Sequence, residues 1–241
     1  MTQLFTPAAN SLMRSALGCI ALLGVGTLST MLIAARSPFM TGQDRIVEQP
    51  IPFSHQHHVG DAGIDCRYCH QGVEDSARAG VPSTQICMTC HRELWSQSDM
   101  LAPVRNSWQE NRSLRWRRVH DLPDYVFFNH GIHIHKGIGC YSCHGDLSEM
   151  PLTMQARPLT MQWCLDCHRN PQQHVRPRAL VFHSKPLKSL TSTNPFRDAL
   201  SETKPEHLEA ETSSAEIKLL QTQLAKKYKL KSRTDCYTCH R

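Results

Sequence analysis

Aromatic residues are scarce in this chain of 241 residues, at 7% of the sequence, and the mean hydropathy is −0.42. So little apolar side-chain mass excludes a broad core built from polypeptide alone. Cysteine is plentiful but not spare. Ten of the eleven cysteines fall in five Cys-x-x-Cys pairs, and the last, Cys19, lies inside an apolar run. That pattern excludes the disulfide framework that cysteine richness would otherwise suggest. The sequence holds no glycine-rich phosphate loop, no serine- or cysteine-centred triad and no paired-carboxylate site. Common hydrolytic and phosphoryl-transfer chemistries therefore have no residues to run on. Only residues 15–35 form a long apolar stretch, free of charge throughout.

What is present is a repeated unit. Histidine follows each cysteine pair: Cys66, Cys69 and His70; Cys87, Cys90 and His91; Cys140, Cys143 and His144; Cys164, Cys167 and His168; Cys236, Cys239 and His240. A zinc ribbon or a redox dithiol needs the cysteine pairs but not a histidine behind each. Histidine is 15 of 241 residues, so five chance placements have odds of about one in a million. Cys-x-x-Cys-His is the attachment pattern of a c-type haem: the cysteines form thioethers to the porphyrin and the histidine becomes an axial iron ligand. Five covalently attached haem c groups are expected, with proximal ligands His70, His91, His144, His168 and His240. They would supply the apolar mass that the side chains lack. Their propionates would offset the formal charge of +6, so the basic residues carry no expectation of nucleic-acid binding.

The first four units fall into duplicated halves. Phe53, His55 and His58 precede units one and two; Phe128, His130 and His133 precede units three and four. The expected fold is mostly α with irregular loops, wrapped around the haems, with one N-terminal transmembrane helix. Residues 1–36 form the anchor, 37–52 a proline-bearing connector, 53–185 the duplicated four-haem domain, and 186–241 a linker, an amphipathic helix over 205–230 and the fifth haem on its own arm. A cleaved signal would want a small-x-small exit, and Ile33-Ala34-Ala35 before Arg36 supplies a poor one. A lipoprotein cysteine would follow the apolar run, whereas Cys19 lies near its start. A retained single-pass anchor is therefore expected, with the haem domain on the periplasmic side of the bacterial inner membrane, where haem is attached. Gly26, Thr30 and Ala34 make a small-residue stripe that suits either a partner helix or lipid. Arg115, Arg117 and Arg118 suit either haem propionates or a solvated basic face.

Five irons with six ligands each need five more donors. Two histidines three residues apart on a helical turn project from nearly one face, so each can reach a different haem. This layout resembles the class III (c3/c7-like) multihaem cytochromes. The resemblance implies that His55 serves the first haem and His130 the third, with His58 and His133 reaching haems outside their own motif. For the remaining position His120 is favoured, with His183 and Met161 as alternatives. His57, His135, His174 and His207 read as surface or propionate-contacting residues, and Met150 and Met154 as packing.

The stretches Trp-x-x-Val-His-Asp-Leu-Pro-Asp (116–124), FFNHGIH (127–133), GCYSCHG (139–145) and LTMQWCLDCHRNP (159–171) are similar to the pentahaem subunit of alternative complex III. That resemblance implies a non-catalytic relay of electrons from quinol oxidation, in a respiratory or photosynthetic complex, to a periplasmic acceptor. It implies polytopic membrane subunits, a periplasmic iron–sulfur subunit, and a monohaem cytochrome or other small carrier as outlet. The alternative is a self-standing tetrahaem or pentahaem quinol dehydrogenase that feeds a periplasmic reductase. A catalytic multihaem reductase would need an iron with a vacant position, and the histidine surplus does not force one.

Overall fold

The computed structural model describes residues 6–190 and 214–240. Among them the chain is helical with irregular connections and forms no strand; Ile46–Met154 and Ile138–Val175 make isolated antiparallel bridges. It divides into two compact units, Met1–Gln43 and Asp44–Arg241.

In the first unit, α1 (Pro7–Arg36) is a continuous helix of 30 residues, about 45 Å long at 1.5 Å per residue. Proline at its first turn lacks only an N–H that the helix would leave unpaired anyway, and Ser37 before Pro38 ends it. Leu17, Ile20, Leu23, Leu28 and Ile33 all point outward, which makes α1 long and apolar enough to cross a membrane. Thr30 donates its hydroxyl to the Gly26 carbonyl at 2.8 Å. Its polar group is thereby satisfied within the helix, as hydrocarbon demands. A short turn, α2 (Pro38–Thr41), follows.

The second unit is assembled from brief helices because each cysteine pair needs only one turn to bring two thiols to the same side. The five motif helices are α3 (Cys66–Cys69), α4 (Thr84–His91), α7 (Cys140–His144), α8 (Met161–Arg169) and α11 (Cys236–Cys239). Side-chain oxygens of Asp65, Thr160 and Asp235 cap three of them. Between them lie α5 (Ala102–Gln109), α6 (His130–His135), α9 (Leu187–Leu190) and α10 (Ser214–Lys227). Apolar packing is broken into small clusters rather than one core, as the composition requires. One joins Val175, Leu180, Leu187, Leu190, Leu220, Leu224 and Tyr228. Another joins Ile51, Met88 and Val104, and a third Val73, Ile134 and Val181.

The duplicated halves interlock by exchanging backbone contacts. A π-helical turn, Gln56–Asp61, follows His55, and the main-chain N–H of Gln56 donates to the Met150 carbonyl. A Cβ on Gly60 would stand 2.5 Å from the Ser148 carbonyl oxygen. The second half answers in kind: Gly131 N–H donates to Ser76, and a Cβ on Gly131 would stand 2.5 Å from the Glu74 carbonyl oxygen. Glycine is the residue that lets backbone approach backbone this closely.

Two expectations change. The C-terminal region is not an arm apart: Leu220, Leu224 and Tyr228 of α10 pack on Val175 and Leu180, and the Phe127 N–H donates to the Cys239 carbonyl at 2.8 Å. The apolar face of α10 has no burial without that docking. The linker also begins later than expected, because Leu187 and Leu190 form a buried helical turn in the same cluster. Of the helix expected over 205–230, the described part runs Ser214–Lys227. Glu206, His207, Glu209 and Glu211 lie outside the described residues.

Gly131→Ala should lower stability by about 1–3 kcal/mol, the usual cost of forcing an extra carbon into packed structure. Thermal unfolding of the purified protein should register this as a fall of several degrees.

Candidate metal centres

The histidines are held with their rings already oriented. The Nδ1–H of His58 donates to the Ser54 carbonyl at 2.8 Å, and that of His133 to Asn129 at 2.7 Å. His70 donates to Gly80 at 2.8 Å, His91 to Leu94 at 3.1 Å, and His130 to Ala77 at 3.0 Å. His168 donates to Arg233 at 2.9 Å and His240 to Tyr125 at 3.1 Å. A carbonyl can only accept, so Nδ1 carries the proton in each ring and Nε2 keeps its lone pair. His55 Nδ1 lies 2.7 Å from Thr153 Oγ1. This outer bond is what orients a metal-binding imidazole. Surface His135 makes the same bond, to Gly131 at 2.8 Å, so the bond prepares a ligand without identifying one.

Ring separations add the selective information. Two imidazoles on opposite sides of one metal, at about 2 Å per metal–nitrogen bond, have ring centres about 6 Å apart. His58 and His91 stand 6.1 Å apart, His133 and His168 6.1 Å, and His130 and His144 6.4 Å. His55 lies close enough to His70 for the two charges to oppose each other. Each phenylalanine of the duplicated motif fixes both histidines that follow it. Phe53 meets His55 edge-on and stacks on His58 at 4.4 Å. Phe128 meets His130 edge-on and stacks on His133 at 4.5 Å. One helical turn thereby presents histidines to two neighbouring units.

Burial keeps the central rings neutral. It pulls His55 down to about 4, helped by the nearby His70, and pulls His120 to about 4 and His144 to about 3. Neutral imidazole is the form that binds a metal. His120 Nε2 is buried and has no hydrogen-bond partner, a costly state for a polar atom unless a ligand satisfies it. Its ring centre is 4.3 Å from that of His144, too close for those two to stand on opposite faces of one haem. Met161, the sulfur alternative, is 68% exposed.

The cysteines of successive units are neighbours. Tyr68 Oη and Thr89 Oγ1, at 2.8 Å, tie units one and two. Cys66 and Cys140 of units one and three touch; the Cys66 thiol and burial push Cys140 far up. Burial, with Cys167 and Cys164 close by, pushes Cys143 up to about 12, and burial with Cys239 nearby raises Cys164. The thiols of Cys140, Cys143 and Cys164 are protonated at neutral pH. Among the described residues, no three or more His, Cys, Asp or Glu side chains converge on one point, as a four-ligand zinc site requires. Paired imidazoles beside paired thiols fit haem c instead.

Arg117 and Arg118 lie exposed beside Glu48 and Asp121, at 3.8 and 3.2 Å. His57 is exposed near Asp61 at 3.5 Å. Sequence reasoning passed over Thr153 and the carbonyls of Ala77 and Arg233. They are ordinary groups whose role comes only from position.

Asn129 accepts a hydrogen bond from Ile132 N–H and caps α6, the turn that carries His130 and His133. Asn129→Ala should cost about 1 kcal/mol in denaturant titration, and Asn129→Asp should recover most of it.

The menaquinone reductase multihaem cytochrome c subunit of Nitratidesulfovibrio vulgaris is 34% identical to this chain over 144 residues, which cover 51% of this chain and 69% of that protein. No family model matches the chain.

Proposed function

The chain belongs to the family of multihaem cytochrome c subunits represented by that relative, and we propose that it is a pentahaem wire joining a membrane quinone pool to a periplasmic redox partner. Covalently bound haem c and quinone-linked electron transfer come with the family. The number five rests on the Cys-x-x-Cys-His units. Haem c supplies reversible one-electron chemistry; the residues supply attachment, axial donors and spacing.

The ring pairs are the observation that carries this reading. His91 with His58, His168 with His133, and His144 with His130 stand at metal-sharing separations, and His70 has His55 beside it. His120, with its buried and unpartnered Nε2, stays the candidate for the remaining position, although its ring lies beside His144 and His130 of unit three and not beside His240. The order of units in space is then two, one, three, four, five, supported by the Tyr68–Thr89 bond, the Cys66–Cys140 contact, the shared helix α6 and the His168–Arg233 bond. Units two and five become the two ports.

The intended setting is a single-pass anchor through α1 with the haem domain outside the inner membrane. The partners are polytopic membrane subunits and a periplasmic iron–sulfur subunit of an alternative-complex-III-like assembly, with a small periplasmic carrier at the far port. The relative's name supports a second reading of direction. The relative is a subunit of a menaquinone reductase, a name under which electrons pass to the quinone and not from it. A chain of haems conducts either way, and the potentials at its ends decide.

Purification from native membranes distinguishes these readings. Recovery with stoichiometric polytopic and iron–sulfur subunits supports the relay; quinol oxidation by the isolated chain supports the self-standing dehydrogenase. Intact mass should exceed that of the polypeptide by five haem groups, and thiol titration of the denatured mature chain should find Cys19 alone. His130→Ala should turn one haem high-spin in the EPR spectrum while all five stay attached. An unchanged spectrum would remove His130 from the ligand set.

A further inference from the structure

Arg176 is the buried cation that the proposed relay leaves unused. It is 3% exposed, and among the described residues no carboxylate pairs with it. Its terminal amine donates to three carbonyls, Leu180 at 3.3 Å, His183 at 3.3 Å and Lys185 at 3.2 Å. Its Nε is buried with no partner. Three carbonyl dipoles offset part of the cost of burying a charge, but they do not cancel the charge.

The position of that charge is specific. A Cβ on Gly139, the residue before the first cysteine of the third unit, would overlap the Arg176 guanidinium. The segment that Arg176 clasps also holds the junction of units one and three. The Cys140 N–H donates to the Val181 carbonyl at 3.0 Å, and Cys66 Sγ lies 3.4 Å from the Phe182 carbonyl oxygen. The unpaired cation therefore stands directly behind the attachment edge of the third unit, at the middle of the proposed row. Water is largely excluded there, and a charge in such surroundings acts over several ångströms with little screening.

We propose that Arg176 is a potential-setting residue, which raises the reduction potential of the haem on the third unit above the value its bis-histidine ligation would give. The sign follows from charge. Reduction adds one electron and lowers the charge of the haem by one, so a fixed cation nearby stabilises the reduced form. The inference rests on the reading that the third unit carries a haem. It goes beyond that reading by assigning the energetic profile at the centre of the wire to one side chain. Glycine at 139 is then required so that the guanidinium can approach.

The test is a spectroelectrochemical titration of the full-length, haem-loaded protein, followed by EPR. The signal altered in His130→Ala identifies the third-unit haem. Arg176→Gln should make reduction of that haem at least tenfold less favourable, a fall of 59 mV or more for a one-electron couple, with smaller changes at the other haems. Arg176→Lys, which keeps the charge, should retain most of the wild-type value. A glutamine variant with five haems and an unmoved third midpoint would overturn the proposal and leave Arg176 as a clasp for residues 180–185. If that variant does not mature, Gly139→Ala displaces the guanidinium without removing it, and an unmoved midpoint there is equally fatal. Absence of a haem on the third unit would instead appear as a deficit in intact mass and would sink the underlying reading.

Discussion

The bond from imidazole Nδ1–H to a main-chain carbonyl is the constraint from which the rest of this structure follows. It fixes the tautomer, aims Nε2, and ties each ring to a stretch of backbone. Seven of the histidines read as ligands make it, and His55 makes its counterpart with Thr153. Because a carbonyl sits wherever its chain segment passes, the path of the backbone, not only the motif, determines where a metal can stand. The irregular connections between the short helices are therefore the elements that position the rings.

The two halves use this device reciprocally. His130 of the second half is tied to Ala77 of the first, and His55 of the first to Thr153 of the second. Gly60 and Gly131 let the same two regions come into backbone contact. Each half supplies both rings of its own pairs, but each has one of those rings oriented by the other half. The small apolar clusters and the thin aromatic content are compatible with such a fold because four of the five units meet across these exchanged contacts. The interior between them is where porphyrin replaces side-chain packing.

Much of this was legible in the sequence, and for a physical reason. The thioether chemistry demands cysteines three apart with histidine next, and two histidines on one turn demand a spacing of three. Phenylalanine ahead of them turned out to stack on one ring and abut the other, so its place in the repeat is also a steric requirement. What residue types could not reveal is which carbonyl each ring finds. The docking of α10, the closeness of units one and three, and the burial of His120 Nε2 all arise from contacts between segments distant in the chain. Arg176 was hidden for a similar reason. In sequence it is one arginine in a proline-bearing terminator, and only the absence of a side chain at Gly139, far along the chain, gives it somewhere to lie.

The bond from His168 to the Arg233 carbonyl has a consequence for biogenesis. The residue whose carbonyl orients the fourth unit's histidine is made 65 positions after that histidine. A nascent chain would export its first four attachment motifs before the fourth ring had its permanent anchor. Loss of the segment that carries the fifth motif would then be felt one cofactor upstream, because the ring of the fourth unit would lose the carbonyl that orients it.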